Sequence, residues 1–122
     1  MYGYLLHGNE VFLRIDIIEL ETFKRSVKKQ KINRNSVDLL KTELCNNPEK
    51  GDLIPGSGGL RKIRMGIYNT GKRGGARVIY LYPVSKERIY LITSYKKTDR
   101  ENLTHADLKA FRRLIKTIEN ME

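Results

Sequence analysis

A single cysteine, Cys45, stands among 122 residues, so no disulfide can close within the chain. That usage suits a reducing compartment. Cys45 lies beside the apolar stripe of a predicted helix, where it reads as a small core residue. Histidine is nearly as scarce: His7 and His105, with one cysteine, offer no metal-ligand spacing. The two also make a poor acid/base pair, one lying in an unreadable terminus and the other beside a predicted helix cap. No apolar run approaches the roughly 18 residues needed to span a bilayer. The opening MYGYLLHGNEVFLR has neither the basic n-region nor the apolar h-region of a secretory signal. There is no internal repeat and no low-complexity tract. The expectation is a soluble, cytoplasmic protein with no metal, no cofactor and no membrane partner.

What the chain does have is positive charge, unevenly placed. The formal net charge is +10, and 39% hydrophobic with 31% charged residues is the balance of one globular domain. From Arg61 to Arg100 there are eleven Lys and Arg against two acids, Glu87 and Asp99; the rest of the chain holds thirteen against twelve. Nearly the whole excess lies in one third of the sequence, and that third carries the strongest strand pattern. A basic sheet calls for a polyphosphate ligand.

The order of elements follows from periodicity. Residues 1–10 are an extension of uncertain order (a loose extension, an upstream start or an extra edge strand) ahead of one domain over residues 11–122. Leu13, Ile15 and Ile17 alternate with Arg14 and Asp16, the period of a half-buried strand. Thr22 is a candidate N-cap for a short helix that has Phe23 and Val27 on one face and Lys24, Arg25, Lys28 and Lys29 on a solvated one. A second helix begins at Asn33 or Asn35, with Val37, Leu40 and Leu44 as its apolar stripe, and Asn46, Asn47 and Pro48 end it. Gly51–Gly59 is loop by composition. Strands follow at about Leu60–Gly66, Ala76–Tyr82 and Ile89–Tyr95, with connections short enough to make neighbours antiparallel. Thr104 and Asp107 resemble a capping box ahead of a final helix with the stripe Leu108, Phe111, Ile115 and Ile118. Its polar face, Lys109, Arg112, Arg113 and Lys116, is usually solvated, though it could meet ribosomal RNA. The fold class is α+β: an N-terminal strand and a helical hairpin packed on an antiparallel sheet, with a C-terminal helix.

Alternation also sorts the basic side chains by face. Lys62 and Arg64 point one way, while Arg61, Ile63 and Met65 point the other. Arg77 goes with Ile79 and Leu81; Tyr95 and Lys97 go with Ile89, Leu91 and Thr93. Neighbouring strands about 4.8 Å apart can bring Lys62, Arg64, Arg77, Tyr95 and Lys97 into one concavity, leaving the other face for the helices. For RNA this set is chemically apt. Lys and Arg meet phosphates, and Tyr68, Tyr90 or Tyr95 could supply a plane for bases to stack on. A lysine crowded by cations has its charged form disfavoured, so it can take a proton from a ribose 2′-hydroxyl while arginines offset the charge of the phosphorane. The products would be a 2′,3′-cyclic phosphate and a 5′-hydroxyl. A sheet that docks on nucleic acid without cutting it is the simpler alternative. Gly66–Lys72 matches G-x-x-x-x-G-K, but Arg73 stands where a Ser or Thr should bind magnesium and glycines follow instead of a helix. That segment reads as a basic loop touching backbone phosphates.

The run Asn47–Tyr82 resembles the HigB branch of the RelE-type toxins of bacterial toxin–antitoxin systems. The blocks that carry the resemblance are Gly58-Gly59-Leu60-Arg61-Lys62-Ile63-Arg64, Gly71-Lys72-Arg73-Gly74-Gly75-Ala76-Arg77, and Tyr95 to Lys97 in SYKK. It implies a small toxin that enters the ribosomal A site and cleaves messenger RNA without a metal ion. Lys62, Arg64, Arg77, Tyr95 and Lys97 would then form the catalytic set, with Lys62 or Lys97 moving the proton. Arg61, Lys72, Arg73 and Lys96 would position RNA. The tyrosine that some relatives carry in the final helix has no counterpart at Leu103–His105. The resemblance further implies a cognate antitoxin, in this branch commonly a HigA-like helix-turn-helix protein. That protein would reach operator DNA on the toxin's behalf, and would either cover the basic face or grip the toxin away from it. The alternative within the same fold is a ParE-like toxin that binds DNA gyrase and cuts nothing, or a basic nucleic-acid-binding module.

Overall fold

The computed structural model describes residues 2–7, 11–67, 75–83, 85, 87–96 and 103–122, with side chains from Ile15 onward. The elements are β1 (Tyr2–His7), β2 (Val11–Glu19), α1 (Glu21–Lys29), α2 (Arg34–Asn46), β3 (Asp52–Leu53), β4 (Leu60–Gly66), β5 (Gly75–Leu81), β6 (Arg88–Lys96) and α3 (His105–Met121). One six-stranded sheet runs in the order β1-β2-β6-β5-β4-β3. The pairs β4–β5 and β5–β6 are antiparallel, as their short connections require. β2 enters parallel to β6, because the helical hairpin and three further strands lie between them in the chain. The opening residues supply an edge strand, β1, against β2. Inside the glycine loop, Asp52 and Leu53 add a two-residue strand beside Lys62 and Arg61, closed by the Ile54 amide on the Leu60 carbonyl at 2.9 Å.

Helices cover both faces of the sheet. Phe23 of α1 and Val37, Leu40 and Leu44 of α2 bury against Ile15, Ile17, Ile63, Met65, Val78, Tyr80, Ile89 and Leu91. Each such side chain contributes roughly 1.5–3 kcal/mol by leaving water. On the opposite face, Ile115 and Ile118 of α3 pack on Leu60, Ile79, Leu81, Tyr90 and Ile92. The face expected to be free of helices therefore carries α3 over part of its area. A continuous apolar patch on β4–β6 leaves no other stable arrangement, because it must be covered.

Local chemistry explains where the helices start and stop. Asn33 caps α2, its side-chain oxygen accepting from the Ser36 amide at 2.8 Å. The Thr104–Asp107 capping box starts α3 with reciprocal bonds of 2.9 and 3.1 Å. Thr22 does not cap α1. The N-cap position is Leu20, which has no side-chain cap, and the Thr22 hydroxyl donates instead to the Ile92 carbonyl of β6. The same helix face continues with Ser26, whose Oγ lies 2.6 Å from Ser94 Oγ, and Gln30, which donates to Ser94 Oγ at 2.8 Å. These three positions, one turn apart, close the edge of β6 beyond the point where β2 stops pairing with it.

The end of α1 carries an unusual residue. The Ile32 amide donates to the Val27 carbonyl and the Lys31 amide to the Lys28 carbonyl, a Schellman ending in which Lys31 takes the left-handed position (φ 55°) that glycine normally fills. Lys31→Gly is expected to raise stability by about 1 kcal/mol. An increased denaturation midpoint at unchanged slope confirms this, and a lower midpoint refutes it.

At the seam between β2 and α2 lies a buried cation. Lys41, with its side chain 5% exposed, places Nζ 2.5 Å from Glu19 Oε2, and Arg34 donates to the same oxygen at 2.8 Å. Burial tends to raise the Glu19 pKa, but the hydrogen bonds and charges of Lys41 and Arg34 outweigh it and hold the carboxyl below its ordinary 4.5. Cys45 is buried in the adjoining core, and burial pushes its thiol above the ordinary 9.0.

Candidate functional site

Strand register places the basic side chains in rows across the sheet. Arg64 of β4 pairs with Arg77 of β5, and Arg77 pairs with Tyr95 of β6. One row further on, Lys62 pairs with Ile79, and Ile79 with Thr93. The next row, Leu60, Leu81 and Tyr90, is apolar and lies beneath α3. Ile79 and Tyr95 belong to the α3-side core, so all three rows share that face. The surface is thus divided: α3 covers the apolar end, and Lys62, Arg64 and Arg77 come together at the other. Arg64 is exposed, while Lys62 and Arg77 are half-buried.

Alternation alone misassigns part of this face. Ile89 and Leu91 were expected beside Tyr95, but they lie in the core on the α1/α2 side. The cause is an extra residue in β6. Ile79 pairs with Thr93, but Tyr80 pairs with Leu91, so Ile92 has no partner and the strand phase reverses across it. Ile92 packs under α3, on the side to which Thr93 also points.

Two residues expected to position RNA lie on the other face. Arg61 pairs with Tyr80, and its guanidinium donates to the Glu49 carbonyl at 3.0 Å and the Gly51 carbonyl at 2.7 Å. It fastens the loop after α2 to the sheet and cannot also hold RNA on the α3 side. Tyr80 acts beside it, fully buried, donating to the Pro48 carbonyl at 2.8 Å and accepting from the Gly51 amide at 2.9 Å. A Cβ on Gly51 would sit 2.7 Å from the Tyr80 ring, so only glycine fits there. Lys96 pairs with Ala76, a residue of the α1/α2-side core, and likewise points away from the Arg64–Arg77 row. The tyrosines change role as well. Tyr90 and Tyr95 are 4% and 8% exposed, packed within the α3-side core, and present no open plane for a base.

Tyr68, Lys72, Arg73 and Lys97 fall outside the described residues, as does the side chain of His7. His105 is exposed in the first turn of α3. Arg112, expected to be solvated or on RNA, donates to the Gly56 carbonyl at 2.8 Å and ties α3 to the glycine loop. Gly75, at the neck of the 68–74 connection, is required by contact: a Cβ there would lie 2.2 Å from the Met65 carbonyl oxygen. Among the described residues no three His, Cys, Asp or Glu side chains are grouped so as to hold a metal ion, and no helix is long and apolar enough to cross a membrane.

The electrostatics of the polar rows are distinctive. Arg64 and Arg77 are direct cross-strand partners, an arrangement that disfavours folding because like charges oppose each other. Neither they nor Lys62 form an ion pair with an acid among the described residues, whereas Arg34, Lys41, Lys50 and Arg88 all do. Such a triad suits a bound anion: two guanidiniums can fork onto phosphate oxygens while an ammonium stands one row away.

Among solved structures, the chain is similar to a double arginine-to-alanine mutant of the E. coli toxin RelE in the free state. The match has 20% identity, covers 70% of this chain and 86% of that one, and has a TM-score of 0.48. The family model for the RelE toxin of the RelE/RelB toxin–antitoxin system matches residues 15–122, from the buried core of β2 to the end of α3. With nearly the whole fold and every described basic side chain of the divided face inside that match, the chain belongs to the RelE toxin family.

Proposed function

We propose that this toxin is a ribosome-dependent endoribonuclease that cleaves translated messenger RNA in the ribosomal A site, acting as a single cytoplasmic domain over residues 11–122 with a cognate antitoxin, of HigA-like type, as its inhibitor. The observation that carries this reading is the Arg64–Arg77 pair, opposed across two strands with no acid between them and Lys62 in the adjoining row. A scaffold gains nothing from that arrangement. A phosphate passing through a five-coordinate state gains two charge-assisted clamps.

In the proposed step a ribose 2′-oxygen attacks the adjacent phosphorus. The O2′–P bond forms, the P–O5′ bond breaks, and the products are a 2′,3′-cyclic phosphate and a 5′-hydroxyl. Arg64 and Arg77 offset the charge on the non-bridging oxygens. Lys62 or Lys97 takes the 2′-hydroxyl proton, and water supplies the proton that the leaving 5′-oxygen gains. Tyr95, the cross-strand partner of Arg77, is buried in the α3-side core and does not stack on a base. Lys72 and Arg73 meet flanking phosphates.

Induction in cells followed by primer extension on an abundant transcript tests the reading. Discrete cuts at codon-spaced positions are the expected result. Intact messages accompanied by DNA damage would instead identify a gyrase poison of the same fold.

A further inference from the structure

We infer that Thr93 contacts the substrate, its hydroxyl hydrogen-bonding a ribose hydroxyl of the RNA strand laid across the basic rows. This rests on the endoribonuclease reading and adds a residue to its site. The extra residue at Ile92 turns Thr93 onto the face of Lys62, Arg64 and Arg77, in line with Lys62 across Ile79 and diagonal to Arg77. Neighbouring strands lie about 4.8 Å apart, so Thr93 and Lys62 are the two half-exposed polar residues on either side of the fully buried Ile79. The bulge is held from outside. Thr22 donates to the Ile92 carbonyl on one side of Thr93, and Ser26 bonds both the amide and the hydroxyl of Ser94 on the other, at 3.0 and 2.6 Å.

Thr93 is half-exposed, and its hydroxyl has no hydrogen-bond partner among the described residues. Its α3-side neighbours on β6 (Tyr90, Ile92 and Tyr95) are buried in the core, and a valine would fill the Thr93 position with the same shape. The hydroxyl is what needs explaining. Lys and Arg only donate hydrogen bonds, which suits phosphate; a ribose hydroxyl both donates and accepts, and a threonine hydroxyl matches it.

The test uses the full chain with ribosomes programmed with synthetic messages, either all-ribose or carrying one 2′-deoxy sugar beside the cleaved nucleotide. One flanking deoxy substitution is expected to slow the wild type about 10-fold, the size of one lost hydrogen bond. Thr93→Val should be about 10-fold slower on the all-ribose message, with no further loss on that deoxy message, and Thr93→Ser should restore both rate and sugar dependence. A Thr93→Val protein that cuts as fast as the wild type overturns the assignment, as does one whose loss multiplies with every deoxy substitution. An inactive wild type overturns the endoribonuclease reading itself, and this assignment with it.

Discussion

Arg77→Ala is expected to slow cleavage of ribosome-bound message by about 10²–10³-fold while leaving the protein at least as stable as the wild type. The two halves of this result have one cause. Arg77 stands directly opposite Arg64 without an acid partner, so its removal relieves a repulsion in the folded state. The same removal strips one of two guanidiniums from the proposed phosphate site. An ordinary structural arginine behaves in the opposite way, losing stability on truncation. Arg61→Ala is the internal contrast: it should lower the melting temperature, because the Glu49 and Gly51 carbonyls lose their donor, and have less effect on the chemical step at a temperature where the protein stays folded. Melting curves and single-turnover rates on both variants check the pair. If Arg77→Ala melts well below the wild type, Arg77 is a structural residue.

Lys41→Met should cost about 3 kcal/mol of folding stability near neutral pH, the low end for breaking a buried ion pair, because Arg34 still reaches Glu19. The penalty arises mainly from the carboxylate left behind, which is mostly shielded from water. Its pH dependence follows from linkage. The folded-state pKa of Glu19 lies below its unfolded value, so the pair's contribution is fully present above about pH 4.5 and is lost as pH falls through the lowered folded value. The gap between variant and wild type should therefore narrow in acid. Urea titrations at neutral pH and at decreasing acid pH measure it. A gap that stays constant down to the lowest pH at which both fold would show that Lys41 acts through packing alone.

Much of the fold was legible in the sequence because it depends on local chemistry. Val37, Leu40 and Leu44 recur at helical spacing and all three are buried. Thr104 and Asp107 carry the capping box in their spacing. That Lys62 and Arg64 share a face followed from strand alternation, since no irregularity falls in β4, whereas the register that sets Arg77 opposite Arg64 was not legible. The parts that were not legible depend on tertiary contacts. The bulge at Ile92 has no sequence signature: isoleucine and threonine are ordinary strand residues, and the carbonyl that Thr22 satisfies belongs to an element 70 residues away. The role of Thr22 is hidden for the same reason, because its sequence neighbours suggest a helix cap and say nothing about β6. Alternation turns Arg61 away from Lys62 and Arg64, but its bonds to the loop after α2 depend on the folded position of that loop beside Tyr80. Lys41 resembles any polar helix residue, and its burial follows only from the docking of α2 beside Glu19.

On the opposite face α3 leaves a two-part surface, apolar where it is covered and cationic where it is open. Its consequence for inhibition is concrete. An acidic antitoxin segment laid over Lys62, Arg64 and Arg77 would compete with RNA directly, whereas one bound to the α1/α2 side would have to block entry to the ribosome.

The most direct measurement is the chemistry of the fragment ends in a reconstituted translation reaction, comparing wild type with a folded Arg64→Ala/Arg77→Ala variant. The wild type is expected to leave 2′,3′-cyclic phosphate and 5′-hydroxyl ends within ribosome-bound codons, and the variant to leave the message uncut. Equal fragments from both proteins, or intact message with the wild type, would contradict the endoribonuclease reading.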